Sequence, residues 1–377
     1  MSRPRLLLPG GLVSIAPTTR APLASGAKDL SIETLRGLAC VLLVLYHTVG
    51  ADRSLGLKVE DGTLLRWLTD SMLFLRMPLF TFLSGIVYAM RPAYAHWGGF
   101  VSKKLRRLMV PMFFVGTIYL LVKLAMPEEV NRPYVLPIWQ WHIVIPIEHY
   151  WYLEATLVLF AMIAAIDHFR LAESRRAAVA WMIGAAAFSA VVGPFVAEVR
   201  VFSLMGIVYL LPFFLLGVFA RRFDWRGAPA AVQVGAGLVA VALIGVSQLG
   251  VAGAIPDIQE RYTPLVILLS GAACLTLFST RWTWRPLAFV GAYSYAIFLL
   301  HVFASAGSRI VLMRLGVDDT YILLVVGMVA ALGLPILVQE VCGYSRVLRL
   351  LILGQAWRGP VKRLRRTAAP SSLTSSD

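Results

Sequence analysis

The sequence predicts an all-α integral membrane protein, a bundle of about ten transmembrane helices with both termini in the cytoplasm. Three observations lead to this prediction. Of the 377 residues, 59% are hydrophobic and only 15% are charged, whereas a soluble domain is about half apolar and a quarter charged. Long apolar runs recur evenly along the chain. Lys and Arg are concentrated in alternate connecting segments, as expected when basic loops stay in the cytoplasm.

Ten apolar segments approach the length of about 20 residues that a membrane-spanning helix needs. The fourth and the eighth are the shortest, and the fifth and sixth are separated only near Glu198 and Arg200. The predicted spans are 31–50, 71–90, 108–126, 150–166, 178–197, 201–220, 231–250, 264–280, 287–308 and 320–342.

The distribution of basic residues predicts the orientation and the domains. With a cytoplasmic N-terminus, the inner segments hold 24 of the 35 Lys and Arg residues, the outer segments 8, and the spans 3. This bias favours an even number of spans. Basic cytoplasmic loops also account for the net charge of +15, so this charge does not indicate nucleic-acid binding. We predict a flexible cytoplasmic tail at 1–30, a transmembrane domain at 31–342 and a basic cytoplasmic tail at 343–377.

The first span carries two ionisable residues on one face. Arg36 and His47 are 11 residues apart, which is about 20° beyond three helical turns and about 16 Å along the axis. Arg36 lies near the inner interface, so it also fits a purely structural role in which its side chain extends to the lipid head groups. His47 lies deeper, and an ionisable residue at such a depth indicates function.

Three other spans place ionisable residues at the level of His47. Arg76 lies near the outer end of the second span, Glu154 near the outer end of the fourth, and His301 in the outer half of the ninth. Four such residues at one depth predict a polar cavity in the outer half of the bundle. For Arg76 and Glu154, a structural ion pair is an alternative to a direct role.

A basic cluster precedes the third span and consists of Lys103, Lys104, Arg106 and Arg107. Such clusters pair with phosphate oxygens, but they also hold loops at the cytoplasmic face and contact anionic lipids. The spacing alone leaves both interpretations open.

The sequence predicts no metal site. His142, Glu148 and His149 have suitable side chains, but no second-shell pattern accompanies them. The three cysteines lie in or beside apolar runs without metal-ligand spacing. No phosphate-binding glycine loop or serine nucleophile motif is present either.

Five stretches, taken in order, resemble the signature of the membrane acyltransferase family 3. RGLACVLLVLYH, which runs from Arg36 to His47, resembles the family's arginine and histidine separated by ten residues. RMPLFTFLSG resembles its second-span motif and KKLRRLMVP its basic RxxR motif. HYWYLEATL and SYAIFLLH resemble its fourth-span region and its late histidine motif. The resemblance covers about residues 31–342.

The resemblance implies transfer of an acyl group, often acetyl, from acyl-CoA to a hydroxyl of a carbohydrate or a lipid-linked glycan. His47 matches the essential histidine of the family and Arg36 its companion arginine. Lys104 and Arg107 match the RxxR positions linked to donor binding, with lysine in place of the first arginine. Lys103 and Arg106 have the same spacing, so the register of this motif stays open. Separately from the resemblance, the topology and the composition fit a bacterial inner membrane best.

A mechanism follows from what acyl transfer to an alcohol requires. We expect neutral His47 to act as the general base, because its unperturbed pKa is near 6.5; a covalent acyl-histidine is the main variant. Arg76 or His301 would assist the oxyanion or orient His47, and Glu154 would fix an arginine or a histidine tautomer. We expect acyl-CoA as the donor substrate, bound by Arg36 and the basic cluster.

Two other classes of function remain open at this point. A secondary transporter or flippase for a glycan or lipid-linked intermediate would use the buried charges as a substrate or proton path. A catalytically inactive relative would bind acyl-CoA without turnover. The presence of both Arg36 and His47 argues against the inactive relative.

Overall fold

A computed structural model describes residues 29–94, 96–131, 144–255 and 260–356. Residues 1–28 of the predicted N-terminal tail and 357–377 of the predicted C-terminal tail lie outside the described residues. The α-helices of the described part are α1 Leu30–Val49, α2 Leu64–Asp70, α3 Leu73–Ala89, α4 Trp97–Ala125, α5 Trp151–His168, α6 Arg175–Val196, α7 Leu204–Arg222, α8 Ala230–Val251, α9 Pro264–Ser279, α10 Arg285–Ala292, α11 Ser294–Arg314, α12 Thr320–Cys342 and α13 Arg346–Leu353.

The described helices form a multi-pass membrane bundle, which confirms the predicted fold class. Eight of them are long and apolar enough to cross a membrane, namely α1, α4, α5, α6, α7, α8, α11 and α12. α2 and α3 together form a ninth candidate, bent by 40°. α9 has 16 residues and is therefore about 24 Å long, shorter than a hydrocarbon core of about 30 Å. Each predicted segment coincides with at least one of these helices. The cytoplasmic location of the termini stays a prediction.

The predicted ninth segment, 287–308, is wrong as a single helix. It is divided at Tyr293 into the short helix α10 and the longer helix α11, which continues to Arg314. α10 lies against the N-terminal part of α1. A Cβ atom at Gly37 would overlap the carbonyl of Leu287, and one at Gly291 would overlap that of Glu33. The two backbones therefore touch, and glycine is required on both sides of the contact.

Several helices begin at side chains that cap their free backbone N–H groups. Asp29 accepts a hydrogen bond from the Ser31 backbone N–H at 2.9 Å and so caps α1. Arg226 approaches the same carboxylate at 3.1 Å and donates to the Ser31 hydroxyl at 2.7 Å. Asp29 thus fixes the start of the helix that carries Arg36 and His47. Ser174, Thr263, Asp319 and Ser345 cap later helices in the same way.

α1 lies inside the bundle, in contact with α3, α9, α10, α11 and α12. By contrast, α6, α8 and α12 present large apolar side chains to the outside, among them Val191, Leu238 and Val329, each more than 60% exposed. Exposed apolar stripes of this kind are suited to lipid contact. The ionisable face of α1 is therefore surrounded by protein.

The predicted C-terminal tail, 343–377, contains a helix near its start, α13. α13 is an amphipathic helix that packs against α4. Gly354 ends it in the left-handed region, at φ 61°, next to the backbone of Arg106 and Arg107. A side chain at Gly354 would collide with that backbone, so this glycine allows α13 to close onto the basic segment of α4.

Candidate functional site

Three histidines meet at one point inside the bundle. His47 comes from α1, His301 from α11 and His149 from the short 3₁₀ turn Glu148–Tyr150 that precedes α5. The ring centre of His47 lies 5.0 Å from that of His301 and 5.7 Å from that of His149, and the latter two are 4.9 Å apart. His149 and His301 are buried. The structure thus brings together two of the predicted residues and adds a third histidine.

The backbone of α11 sets the tautomer of His301. Its Nδ1 lies 2.9 Å from the carbonyl oxygens of both Ile297 and Phe298. Because a carbonyl oxygen only accepts, Nδ1 carries the hydrogen and Nε2 carries the lone pair. Nε2 of His301 and both ring nitrogens of His149 have no hydrogen-bond partner among the described residues. The cluster therefore retains free ring nitrogens next to His47.

Arg76 lies beside the histidine cluster. Its guanidinium carbon is 3.4 Å from the centre of the Tyr46 ring, and the edge of that ring contacts His47 at a centroid distance of 5.1 Å. Arg76 is only 5% exposed, and its Nε and Nη1 atoms have no acceptor among the described residues. A buried guanidinium stacked on an aromatic ring, with free N–H groups, is arranged to receive an anion.

A cavity of about 1060 Å³ extends from this point, and its described lining includes two of the four residues predicted to form one, His47 and Arg76. His47, His149 and Arg76 belong to its lining, together with Tyr119 and Tyr209. The lining also carries both signs of charge, with Asp70, Lys123, Glu148, Glu198, Arg200, Glu260, Arg261 and Arg309. A cavity of this size, with polar and charged groups among apolar ones, can admit a hydrophilic molecule to His47.

Glu154 lies apart from the histidine cluster. It is half-buried on α5, accepts a hydrogen bond from the Ser203 hydroxyl at 2.6 Å and is absent from the described lining of the cavity. No ion pair joins it to Arg76 among the described side chains. Its side chain is thus directed to Ser203 and away from the histidine cluster.

Basic side chains lie near the N-terminal part of α1, the end opposite His47. Arg36 approaches Glu33 at 3.4 Å and stays partly exposed. On α4, Lys104 lies 3.5 Å from the Phe160 ring centre, and Arg107 lies 5.2 Å from that of Tyr295. Lys104 and Arg107 are three residues apart and therefore share a face of α4.

The remaining two members of the basic cluster, Lys103 and Arg106, are exposed. They lie on α4 beside Lys104, which is half-buried against the aromatic rings of the bundle. Lys104 also lies within electrostatic range of both Arg36 and Arg107. Arg107 is exposed as well. Lys104 is therefore the member of the cluster that burial sets apart, and it is the one that lies within electrostatic range of Arg36.

His149 is the cluster member that sequence reasoning did not assign to the site. In the sequence it is a candidate metal ligand together with His142 and Glu148, and it is the first residue of the HYWYLEATL stretch. His142 lies outside the described residues. Among the residues that the structure describes, no group of three His, Cys, Asp or Glu side chains has a geometry that could hold a metal ion. The sequence feature that points to His149 is its predicted depth, since it directly precedes the fourth predicted span, at the outer end of that span.

A buried histidine cluster beside a large cavity, in a bundle of candidate membrane spans, is the type of site expected in a multi-pass membrane enzyme. The family model described as an acyltransferase domain, acyltransferase family 3, matches residues 29–340. The chain therefore belongs to acyltransferase family 3 and is an acyltransferase. No curated protein and no solved structure gives a significant match.

Proposed function

We propose that this acyltransferase moves an acyl group, in the simplest case acetyl, from cytoplasmic acyl-CoA to a hydroxyl of a cell-envelope carbohydrate or lipid-linked glycan. The observation that carries the proposal is the position of His47. It lines the large cavity, contacts two further histidines and shares a helix face with Arg36 at the basic end. The proposal places the protein in a bacterial inner membrane with both termini in the cytoplasm.

In the proposed reaction, His47 removes the proton of the acceptor hydroxyl as that oxygen attacks the thioester carbonyl. A new C–O bond forms, the C–S bond of the thioester breaks, and the imidazolium returns its proton to the departing CoA thiolate. In this proposal, Nε2 of His301 or a ring nitrogen of His149 accepts the single N–H of neutral His47 and orients the ring, while the other nitrogen of His47 takes the proton. The short ring distances and the absence of other described partners for these nitrogens support this role. The main variant is a covalent acyl-histidine intermediate on His47.

The donor would bind at the basic end of the bundle. Arg36, Lys104 and Arg107 supply cations for the phosphates of CoA. Arg36 and His47 are separated by 11 residues of the uninterrupted helix α1, so the pantetheine arm would extend about 16 Å to reach the histidine cluster. Cys40 and Leu43 lie on the intervening part of α1.

The proposal is tested by thioester consumption in detergent. Free CoA release from acetyl-CoA is measured with a cell-envelope glycan fraction as acceptor, for the wild type and for His47→Ala. His168→Ala is the matched control, because His168 is an exposed histidine in the last turn of α5. We expect release that requires the glycan, is kept in the control and is lost in His47→Ala. Equal release from both variants would remove His47 as the base.

One observation also favours a transporter or flippase for a glycan. The buried Arg76, with free N–H groups in a cavity, would suit an anionic cargo. This second candidate predicts glycan movement across a reconstituted bilayer without thioester consumption. Donor-independent movement together with no CoA release would favour it over acyl transfer.

A further inference from the structure

Arg76 places a positive charge in the cavity lining, and two nitrogens of its guanidinium have no acceptor among the described residues. The other arginine buried near this end, Arg66, donates to the carbonyls of Gly50 at 2.6 Å and Val59 at 2.9 Å. Lys123 in the cavity wall approaches Glu148 at 2.7 Å, and Arg309 donates to the carbonyl of Gly56. Arg76 alone combines near-complete burial with two N–H groups that lack any described acceptor.

The carboxylates of the cavity do not neutralise Arg76. Glu148 is occupied by Lys123, and Glu198 and Glu260 are exposed. Asp70 is within electrostatic range of Arg76, but it is not in ion-pair contact among the described residues. Since a buried charge without a counter-charge is expensive, the arrangement is suited to an anion that arrives with a ligand.

A second arginine lies on the route to Arg76. Arg261, exposed at the cavity wall, has its guanidinium carbon 5.7 Å from the ring centre of Tyr209. Tyr209 also interacts electrostatically with Arg76, as does Arg261 itself. An exposed and a buried guanidinium group thus lie near one tyrosine of the cavity lining, and Tyr46 contacts both Arg76 and His47.

We infer that the acceptor is an acidic glycan, whose carboxylate or phosphate binds Arg76 while a neighbouring hydroxyl reaches His47. The inference rests on the proposed function, because it assigns the cavity to the acceptor. Arg76 and His47 contact the same tyrosine ring, so the anion and the acylated hydroxyl belong to the same or adjacent sugar units. Arg261 binds a second anionic group nearer the mouth.

The experiment measures binding to the full-length protein in detergent at physiological ionic strength, which screens non-specific attraction to exposed charges. One pair of probes is a uronic-acid oligosaccharide and the same oligosaccharide with its carboxyl groups reduced to alcohols. A lipid-linked sugar phosphate and its dephosphorylated form test phosphate as the anion. Arg76→Gln, Arg76→Lys and Arg261→Gln are compared with Arg53→Gln, an exposed arginine outside the described cavity lining.

We expect the wild type to bind one acidic probe at least about 10-fold more tightly than its neutral form, as for a hydrogen bond to a charged group. Arg76→Gln abolishes this preference, Arg76→Lys retains part of it because the charge remains, and Arg261→Gln reduces it severalfold. Arg53→Gln leaves it unchanged. Equal affinities for both acidic probes and their neutral forms would overturn the inference, as would an unchanged preference in Arg76→Gln.

Failure of the inference is distinguishable from failure of the proposed function, because CoA release is recorded on the same protein. Release with neutral acceptors only would leave acyl transfer intact and contradict the acidic acceptor. Binding of the acidic probe without release of CoA from any acceptor would support the anion site and contradict acyl transfer. If Arg76→Gln does not fold, Arg76→Lys and Arg261→Gln still decide the outcome.

Discussion

Replacement of Lys104 by alanine should weaken donor binding much more than replacement of Lys103. Lys104 is half-buried on the Phe160 ring and near Arg36 and Arg107, whereas Lys103 is exposed. A hydrogen bond between charged groups contributes about 1.5–3 kcal/mol, which is about 10- to 150-fold in affinity. An exposed cation contributes at most about 1 kcal/mol, so we expect no more than about 5-fold for Lys103→Ala.

Calorimetric titration of each variant with acetyl-CoA measures this difference directly. The two variants lose the same charge from adjacent positions of one helix, so each controls for the other. A second titration at raised salt separates them further, because screening reduces the contribution of the exposed lysine more strongly. Equal losses, or a larger loss for Lys103→Ala, would refute the assignment of the donor site to the Lys104 face.

Three other predictions follow from particular contacts. Gly291→Ala should destabilise the protein by about 1–3 kcal/mol, because the added methyl group meets the backbone of α1; Gly184→Ala, with open space around it, should not. Although burial alone would raise the pKa of Asp29, hydrogen bonds from Ser31 and the Arg226 charge lower it overall. Its contribution to stability is therefore full above its unfolded pKa of about 3.9 and is lost as the pH falls through the lower folded pKa. His301→Asn should lower the rate constant of acyl transfer by about 10²-fold or more, if His301 orients the base, without changing donor affinity.

These three predictions are checked by simple comparisons. Chemical unfolding in detergent ranks the two glycine variants, and equal stability would contradict the close contact of α1 and α10. Asp29→Asn keeps the N-cap but removes the charge, so its stability should fall less steeply than that of the wild type as the pH is lowered through the acidic window; an unchanged pH dependence would exclude a contribution from Asp29. For His301→Asn, wild-type turnover would show that His47 needs no support from α11.

The sequence predicts the axial positions of the site much better than the directions of its side chains. Arg36 and His47 lie on one helix, so helical periodicity alone relates them. His301 and Glu154 come from other helices, and the rotation of each helix depends on its packing partners. His301 is directed to His47, whereas Glu154 is directed to Ser203. One sequence without its packing contacts cannot distinguish these two cases.

Features between the spans were the hardest to predict. His149 belongs to a short 3₁₀ turn that places it at the cluster, although its position just outside a span resembles that of an interfacial residue. α13 follows the last span, and its arginines indicated a basic tail. Apolar and basic residues alternate there with helical spacing, and Gly354 permits the end of the helix to approach the backbone of α4 closely.

The central claim is that His47 performs the chemistry while the donor binds elsewhere. The most direct test measures kcat for glycan-dependent CoA release and the Kd for acetyl-CoA on the same preparation of His47→Ala. We predict that kcat falls by about 10²- to 10⁴-fold, the usual contribution of a general base, while Kd stays within about 2-fold of the wild-type value, because Arg36, Lys104 and Arg107 are intact. An unchanged kcat, or a loss explained entirely by weaker acetyl-CoA binding, would contradict the account.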